Sequence, residues 1–128
     1  MTTGADDLVN RARRRIRRVQ PAELSSVIAA KGLVVDIRSE AQRRTEGDLE
    51  GAVVVERNVL EWRLDPHGEH RLSQVRDHRQ WIVIVCSEGY ASSLAAASLV
   101  DLGFENAADL EGGFRAWRTW SARKVVRL

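Results

Sequence analysis

Trp81-Ile82-Val83-Ile84-Val85-Cys86-Ser87-Glu88-Gly89-Tyr90-Ala91-Ser92-Ser93-Leu94 is the stretch whose reading decides the fold. Four consecutive β-branched apolar residues, Ile82 to Val85, stop at the only cysteine of the chain. A run without alternation suits a strand buried on both faces, as in a parallel sheet, better than one with a wet side. Ser87, Glu88 and Gly89 are turn formers, and from Tyr90 the pattern turns helical. Cys86 is thereby expected between the carboxyl end of a buried strand and the N-terminus of a helix, facing free N–H groups and a positive dipole end. That setting favours thiolate over thiol. On position alone, a small buried hydrophobe is an equal reading of the same residue.

The flanks repeat the alternation of strand and helix. Downstream, Leu94, Ala95, Ala96, Ala97, Leu99, Val100 and Leu102 make an apolar helix that Gly103 ends, with small residues suited to close packing. Ala107 to Leu110 supply a last strand, and Gly112-Gly113 a tight turn into a helix carrying Phe114, Trp117 and Trp120 as packing residues. Upstream, Pro21 opens a helix whose apolar face is Leu24, Val27 and Ile28, ended by Lys31-Gly32. Leu33-Val34-Val35 reads as a short buried strand closing in Asp36-Ile37-Arg38; Ser39 caps a helix to about Arg44, broken by Gly47; Val53-Val54-Val55 follows as another strand. Glu56 to His70 is irregular, with Trp62 and Leu64 expected to anchor it, and Ser73 to Gln80 is expected to be a polar helix. This is the βαβ rhythm of an α/β fold, a parallel sheet with helices on both faces.

The totals narrow the function classes. A chain of 128 residues with 44% hydrophobic and 30% charged residues is expected to be one soluble domain. Its apolar runs are far too short for a bilayer span, and the polar start lacks the apolar core of a secretory signal, so no membrane and a cytoplasmic location are expected. One cysteine excludes an internal disulfide, and a net charge of +2 is too small to imply nucleic acid. Arginines outnumber lysines 18 to 2, and six of them, Arg11, Arg13, Arg14, Arg15, Arg17 and Arg18, cluster near the start. With Leu8, Ala12, Ile16 and Val19 at helical spacing and Asp6 or Asp7 as cap, a short basic amphipathic helix is expected there. A solvated appendage, a docking surface for an acidic partner, and a nucleic-acid or membrane contact compete for it; the lack of interleaved aromatics weakens single-strand binding. His67 and His70 in a Pro/Gly loop have no identifiable third ligand, so no metal is assigned.

Ligands of a doubly wound sheet bind beyond the carboxyl ends of its strands. Three segments end there with polar residues: Asp36-Ile37-Arg38, Glu56-Arg57-Asn58 and Cys86 to Ser92. The third is able to curl around the thiol, Gly89 permitting positive φ and the N–H groups from Ser87 onward forming an anion nest. A thiolate so placed is able to attack a sulfane sulfur, and the same donors would stabilise the persulfide formed.

At these residues the chain resembles the rhodanese, or thiosulfate sulfurtransferase, family in its single-domain form. The resemblance runs from about Val19 to Trp120: Pro21-Ala22-Glu23-Leu24, Val35-Asp36-Ile37-Arg38, Gly47-Asp48-Leu49-Glu50-Gly51-Ala52, Val83 to Tyr90, and Leu110-Glu111-Gly112-Gly113-Phe114-Arg115-Ala116-Trp117. It implies a rhodanese-like three-layer fold with about five parallel strands, and Cys86 as a sulfur-accepting nucleophile cradled by Ser87, Glu88, Gly89, Tyr90 and Ala91; from their position alone, Ser92 and Ser93 are expected to cap the helix or offer a hydroxyl to the sulfur. It divides the chain into a basic helical extension at residues 1–18, the domain at 19–122 and a tail at 123–128. It implies no cofactor; the partners are a sulfane-sulfur donor and a thiol or protein acceptor.

Two departures from the family pattern stand out. The loop pattern Cys-x-x-Gly-x-Arg ends here in Ala91, and Asp48 and Glu50 replace the His and Pro of Gly-His-Ile-Pro-Gly-Ala. A lost charge-assisted bond is worth about 1.5–3 kcal/mol, so thiosulfate is expected to be a poor donor unless Arg57 or Arg38 reaches the loop mouth. The alternatives are a non-catalytic rhodanese-like binding or regulatory module, and a phosphatase, whose Cys-x5-Arg loop would need an arginine where Ser92 stands.

Overall fold

The computed structural model describes residues 4–126, in the order α1 (Ala5–Arg13), β1 (Arg17–Val19), α2 (Leu24–Ala29), β2 (Leu33–Asp36), α3 (Glu40–Glu46), β3 (Val53–Val54), α4 (Leu60–Leu64), β4 (Ile82–Val85), α5 (Ala91–Asp101), β5 (Ala107–Leu110) and α6 (Gly113–Val126). Single 3-10 turns, Pro21–Glu23 and Arg57–Val59, lead into α2 and α4. The five strands form one sheet, ordered β1-β5-β4-β2-β3, and every pairing is parallel.

Side chains alternate between two dry cores. Leu33, Val35, Ile82, Ile84 and Ala107 meet Leu60, Leu64, Ala95, Ala96, Leu99 and Phe104 on one face. Val34, Val83, Val85, Ala108 and Leu110 meet Leu24 and Phe114 on the other. Each large aliphatic side chain so buried contributes about 1.5–3 kcal/mol, which is why the central strands carry no polar alternation. Helix α1 packs outside α5, and β1 adds an edge strand beside β5. The segment before residue 19 is therefore joined to the sheet.

The connections from β2 run outward to β3 on one side, and those from β4 run to β5 on the other. The carboxyl ends of β2 and β4 thus meet at a topological switch point, the natural crevice of such a sheet. Asp36 lies opposite Val85, and the Ile37 N–H donates to the Val85 carbonyl at 2.9 Å, bringing Arg38 and Cys86 to adjacent strand ends.

Several local expectations hold. Ser39 Oγ accepts from the Gln42 N–H, and Gln42 Oε1 accepts from the Ser39 N–H, a reciprocal cap for α3, which Gly47 ends at φ +108. Others are corrected. Helix α1 stops at Arg13, so the expected stripe breaks: Val9 and Ala12 are its buried residues, while Val19 reaches the core from a strand. Its cap is Gly4, with Asp7 folding back onto the Gly4 N–H. Leu64 anchors the irregular region as expected, but Trp62 is 61% exposed and Leu60 takes its place. No helix forms over Ser73 to Gln80. There Asp77 accepts from the Arg79 and Gln80 N–H groups and Gln80 from the Arg76 N–H, side-chain bonds that compete with the helical ladder. Of the expected tail, 123–126 continue α6, and 127–128, like 1–3, lie outside the described residues. Among the described residues no helix is long and apolar enough to cross a membrane.

Candidate active site

Strand β4 delivers Cys86 to the switch point, and the turn after it wraps the sulfur. The Gly89 N–H donates to Cys86 Sγ at 3.1 Å and the Ser92 N–H, in the first turn of α5, at 3.3 Å. Two main-chain donors on one sulfur favour negative charge there, with the N-terminus of α5 behind them. Cys86 itself is 8% exposed, opening onto a cleft of about 290 Å3 lined by Ile37, Arg38, Gln42, Arg57, Ser87, Glu88, Tyr90 and Ala91. A larger hollow of about 450 Å3, beside β1 and α2 around Trp81, shares none of these residues.

The loop holds the Gly89 N–H on the sulfur while its first carbonyls are taken on the outside. The Phe114 N–H donates to the Cys86 carbonyl at 2.8 Å and the Arg115 N–H to that of Ser87 at 3.1 Å. This approach needs Gly113 at φ +66, where a Cβ would sit 2.6 Å from both carbonyl oxygens. Gly89, at φ +89, is pressed against the same turn, with space for a Cβ closed by the Gly112 nitrogen at 2.8 Å. The glycine pair was legible only as a turn; its role as the clamp of the cysteine loop depends on a contact between distant segments.

On the Ser87 side the organiser is Glu46, at the end of α3. Its carboxylate accepts from the Ser87 hydroxyl, from Arg115 Nε at 2.9 Å and from Arg38 Nη1 at 3.2 Å. Burial works against its charge, but the hydrogen bonds from Ser87, Arg115 and Arg38 outweigh burial and hold Glu46 below the usual carboxylate range. Sequence reading passed over Glu46, since one glutamate on an exposed-looking helix carries no signal.

Arg38 is wholly buried, its Nε and Nη2 on Asp36 and its Nη1 on Glu46, with the guanidinium 3.9 Å from the centre of the Phe114 ring. It forms part of the cleft wall as a tied structural cation. Arg57 also lines the cleft; it is half-exposed and paired with Glu61 at 3.0 Å, a bond that water competes for. Glu88 is exposed and meets Arg115 at 3.2 Å. Ala91 leaves the cleft without a guanidinium at the end of the loop, and Ser92 is fully buried, its hydroxyl donating to Asp109 at 2.8 Å.

Comparison with known proteins agrees with this geometry. The Rhodanese-like domain family matches residues 20–119. A thiosulfate sulfurtransferase GlpE of Pseudomonas entomophila is 32% identical over 103 residues, 80% of this chain and 85% of that protein. A structure from Rhodopseudomonas palustris, described as a protein of unknown function and possible tyrosine phosphatase, superposes with a TM-score of 0.83 at 28% identity, covering 94% of this chain and 93% of that one. The human single-domain sulfurtransferase TSTD1 superposes with a TM-score of 0.65 at 23% identity over 80% of this chain and 95% of that one, a likeness of fold. With a thiol cradled at the switch point of a five-stranded parallel sheet, and with that family matched across most of its length, the chain belongs to the rhodanese-like domain family.

Proposed function

We propose that this protein is a sulfurtransferase in which Cys86 alternates between thiolate and persulfide. The observation that carries the reading is the pair of main-chain N–H groups, from Gly89 and Ser92, aimed at Sγ on the floor of the cleft. The Cys86 thiolate attacks the outer sulfur of a sulfane donor; the donor's S–S bond breaks and its electron pair leaves with the remaining fragment, sulfite when thiosulfate is the donor. The anionic persulfide keeps its charge beside the loop donors. An acceptor thiolate, small or on a protein, then attacks the terminal sulfur and Cys86 departs as thiolate, so the cycle needs no external oxidant or cofactor. The thiosulfate sulfurtransferases among the relatives support this class of chemistry.

Thiosulfate fits this cleft less well than it fits the family pattern, because Ala91 offers no guanidinium to a dianion. Arg57 is the cleft cation best able to turn toward a bound donor, since its partner Glu61 is also held by the Ser98 hydroxyl. A cytoplasmic setting, where low-molecular-weight persulfides and thiols are at hand, suits such a donor and acceptor. An acidic partner for the N-terminal arginines would meet Arg11 and Arg14, which are exposed.

Incubation with a sulfane donor should add one sulfur atom, about 32 Da, to the intact protein, removed by reductant and absent in Cys86→Ser. Failure with thiosulfate and with a range of organic persulfides would leave the second reading, a non-catalytic rhodanese-like module, which Ala91 favours. A phosphatase reading lacks its phosphoryl-holding arginine, because position 92 is a buried serine bonded to Asp109.

A further inference from the structure

Ala91 leaves the front of the cleft without a loop cation, yet two guanidinium groups stand behind the loop. Arg13 Nη2 donates to the Gly89 carbonyl at 2.7 Å and its Nε to Ser93 Oγ at 3.0 Å. Arg18 Nη2 reaches the same carbonyl at 3.2 Å, while its Nε holds Asp109 at 2.9 Å. Asp109 is fully buried and also accepts the hydroxyls of Ser92 and Ser93, at 2.8 and 2.7 Å. One network thus ties α1, β1 and β5 to the first turn of α5, the turn whose Ser92 N–H meets the sulfur.

The Gly89 carbonyl and the Tyr90 N–H belong to one trans peptide, so this N–H points away from the arginines. A carbonyl drawn by two cations leaves its N–H a stronger donor. Burial opposes the charge on Arg18, but the hydrogen bond and charge of Asp109, with the nearby charges of Glu111 and Cys86, outweigh it and hold the guanidinium above its ordinary range. Arg13 is further fixed by the Tyr90 ring, 5.4 Å from its guanidinium carbon.

We propose that Arg13 and Arg18 are positioning residues for Cys86: bound from behind to the Gly89 carbonyl, they hold the loop in its donor geometry and supply the positive field that Ala91 does not. The proposal deepens the sulfurtransferase reading and rests on it for its purpose, since the same field would stabilise a persulfide anion. The other charged groups around the loop are Arg38 and Arg57 on the cleft wall, Glu88 within the loop, Glu46 through Ser87, Arg115 beyond Glu88, and Asp109 and Glu111 behind it. The phenol of Tyr90 completes the set.

Arg13→Met is the informative variant, because it changes one charge and leaves the part-buried Arg18–Asp109 pair intact. The measurement is the rate of Cys86 alkylation by iodoacetamide against pH, which reads a single thiol in this chain, together with the unfolding temperature. Arg13→Met should displace the profile toward higher pH, slowing labelling about three- to tenfold on its acid side. Arg13→Lys, which keeps the charge and reaches the same carbonyl, should recover most of the shift. An unmoved profile in Arg13→Met, whether or not the unfolding temperature falls, would overturn the proposal, as would a lysine variant no better than methionine. If the wild-type protein takes up no sulfur and the profile still moves, the sulfurtransferase reading fails and this one stands.

Discussion

The two flanks of the cysteine loop are secured by charges of opposite sign. On the Ser87 flank a buried carboxylate, Glu46, gathers a hydroxyl and two arginines. On the Gly89 flank two arginines converge on one carbonyl, with Asp109 balancing part of their charge. The first flank is built of residues within the span that resembles the family, and the second draws on α1 and β1 at the very start of the chain. The contrast teaches that a loop lacking its own cation is still held against positive charge, arriving from a segment that looks like an appendage when read in one dimension.

Gly113→Ala breaks the main-chain clamp on which the loop between the two flanks rests. Its Cβ would meet the carbonyls of Cys86 and Ser87, and Gly113 has a positive φ, so strain and displacement together should cost about 2–4 kcal/mol in denaturant unfolding. Sulfur loading of Cys86 should fall with it, because the loop N–H groups turn inward only while those carbonyls are bound outside.

Glu46→Ala breaks the Ser87 flank alone, leaving buried Arg38 with one carboxylate in place of two, and should cost about 2–3 kcal/mol. The same residue sets an acid limit. Because Glu46 titrates in the folded protein below its ordinary value near 4.5, its stabilisation is complete above that pH and lost as pH falls through the depressed value. Glu46→Gln should start less stable at neutral pH and lose less between pH 4.5 and the acid transition, as measured by urea midpoints.

Ala91→Arg sharpens the comparison by putting a cation back in front. One charge-assisted contact to a dianionic donor should lower KM for thiosulfate about tenfold, read from sulfite release. Arg57→Gln should raise that KM about two- to fivefold, an exposed cation contributing less than a placed one. Arg44→Ala is the smallest change: its pair with Glu40 is exposed on α3, away from the cleft, and its removal should stay within about 0.5 kcal/mol.

Much of the fold was legible along the chain. Ile82 to Val85 and Leu33 to Val35 announced strands dry on both faces, Ser39 and Gly47 bracketed α3, and Gly103 ended the α5 pattern one residue after its C-cap. Misreadings came where local pattern and tertiary packing disagreed. Trp62 looked like an anchor because it is large, but the phase of α4 turns Leu60 and Leu64 inward. Ile16 and Val19 sat at helical spacing, but edge pairing of Arg17–Val19 with β5 pulled that segment into the sheet. Asp77 and Gln80 bonded to nearby main chain and took the place of the expected polar helix.

By itself, the sequence determined that strands and helices alternate, that the only thiol stands where a buried strand gives way to a glycine-bearing loop, and that the loop ends in Ala91. Those properties are local, set by side-chain shape, backbone freedom and periodicity over a few residues. The tertiary structure alone decided which charges face that thiol. Arg38 looked free to reach a substrate and is buried against Asp36 and Glu46; Arg13 and Arg18 looked solvated and support Gly89. The physical reason is that a guanidinium's partner is whatever acceptor the packing of distant segments brings within about 3 Å, and no local pattern encodes that distance.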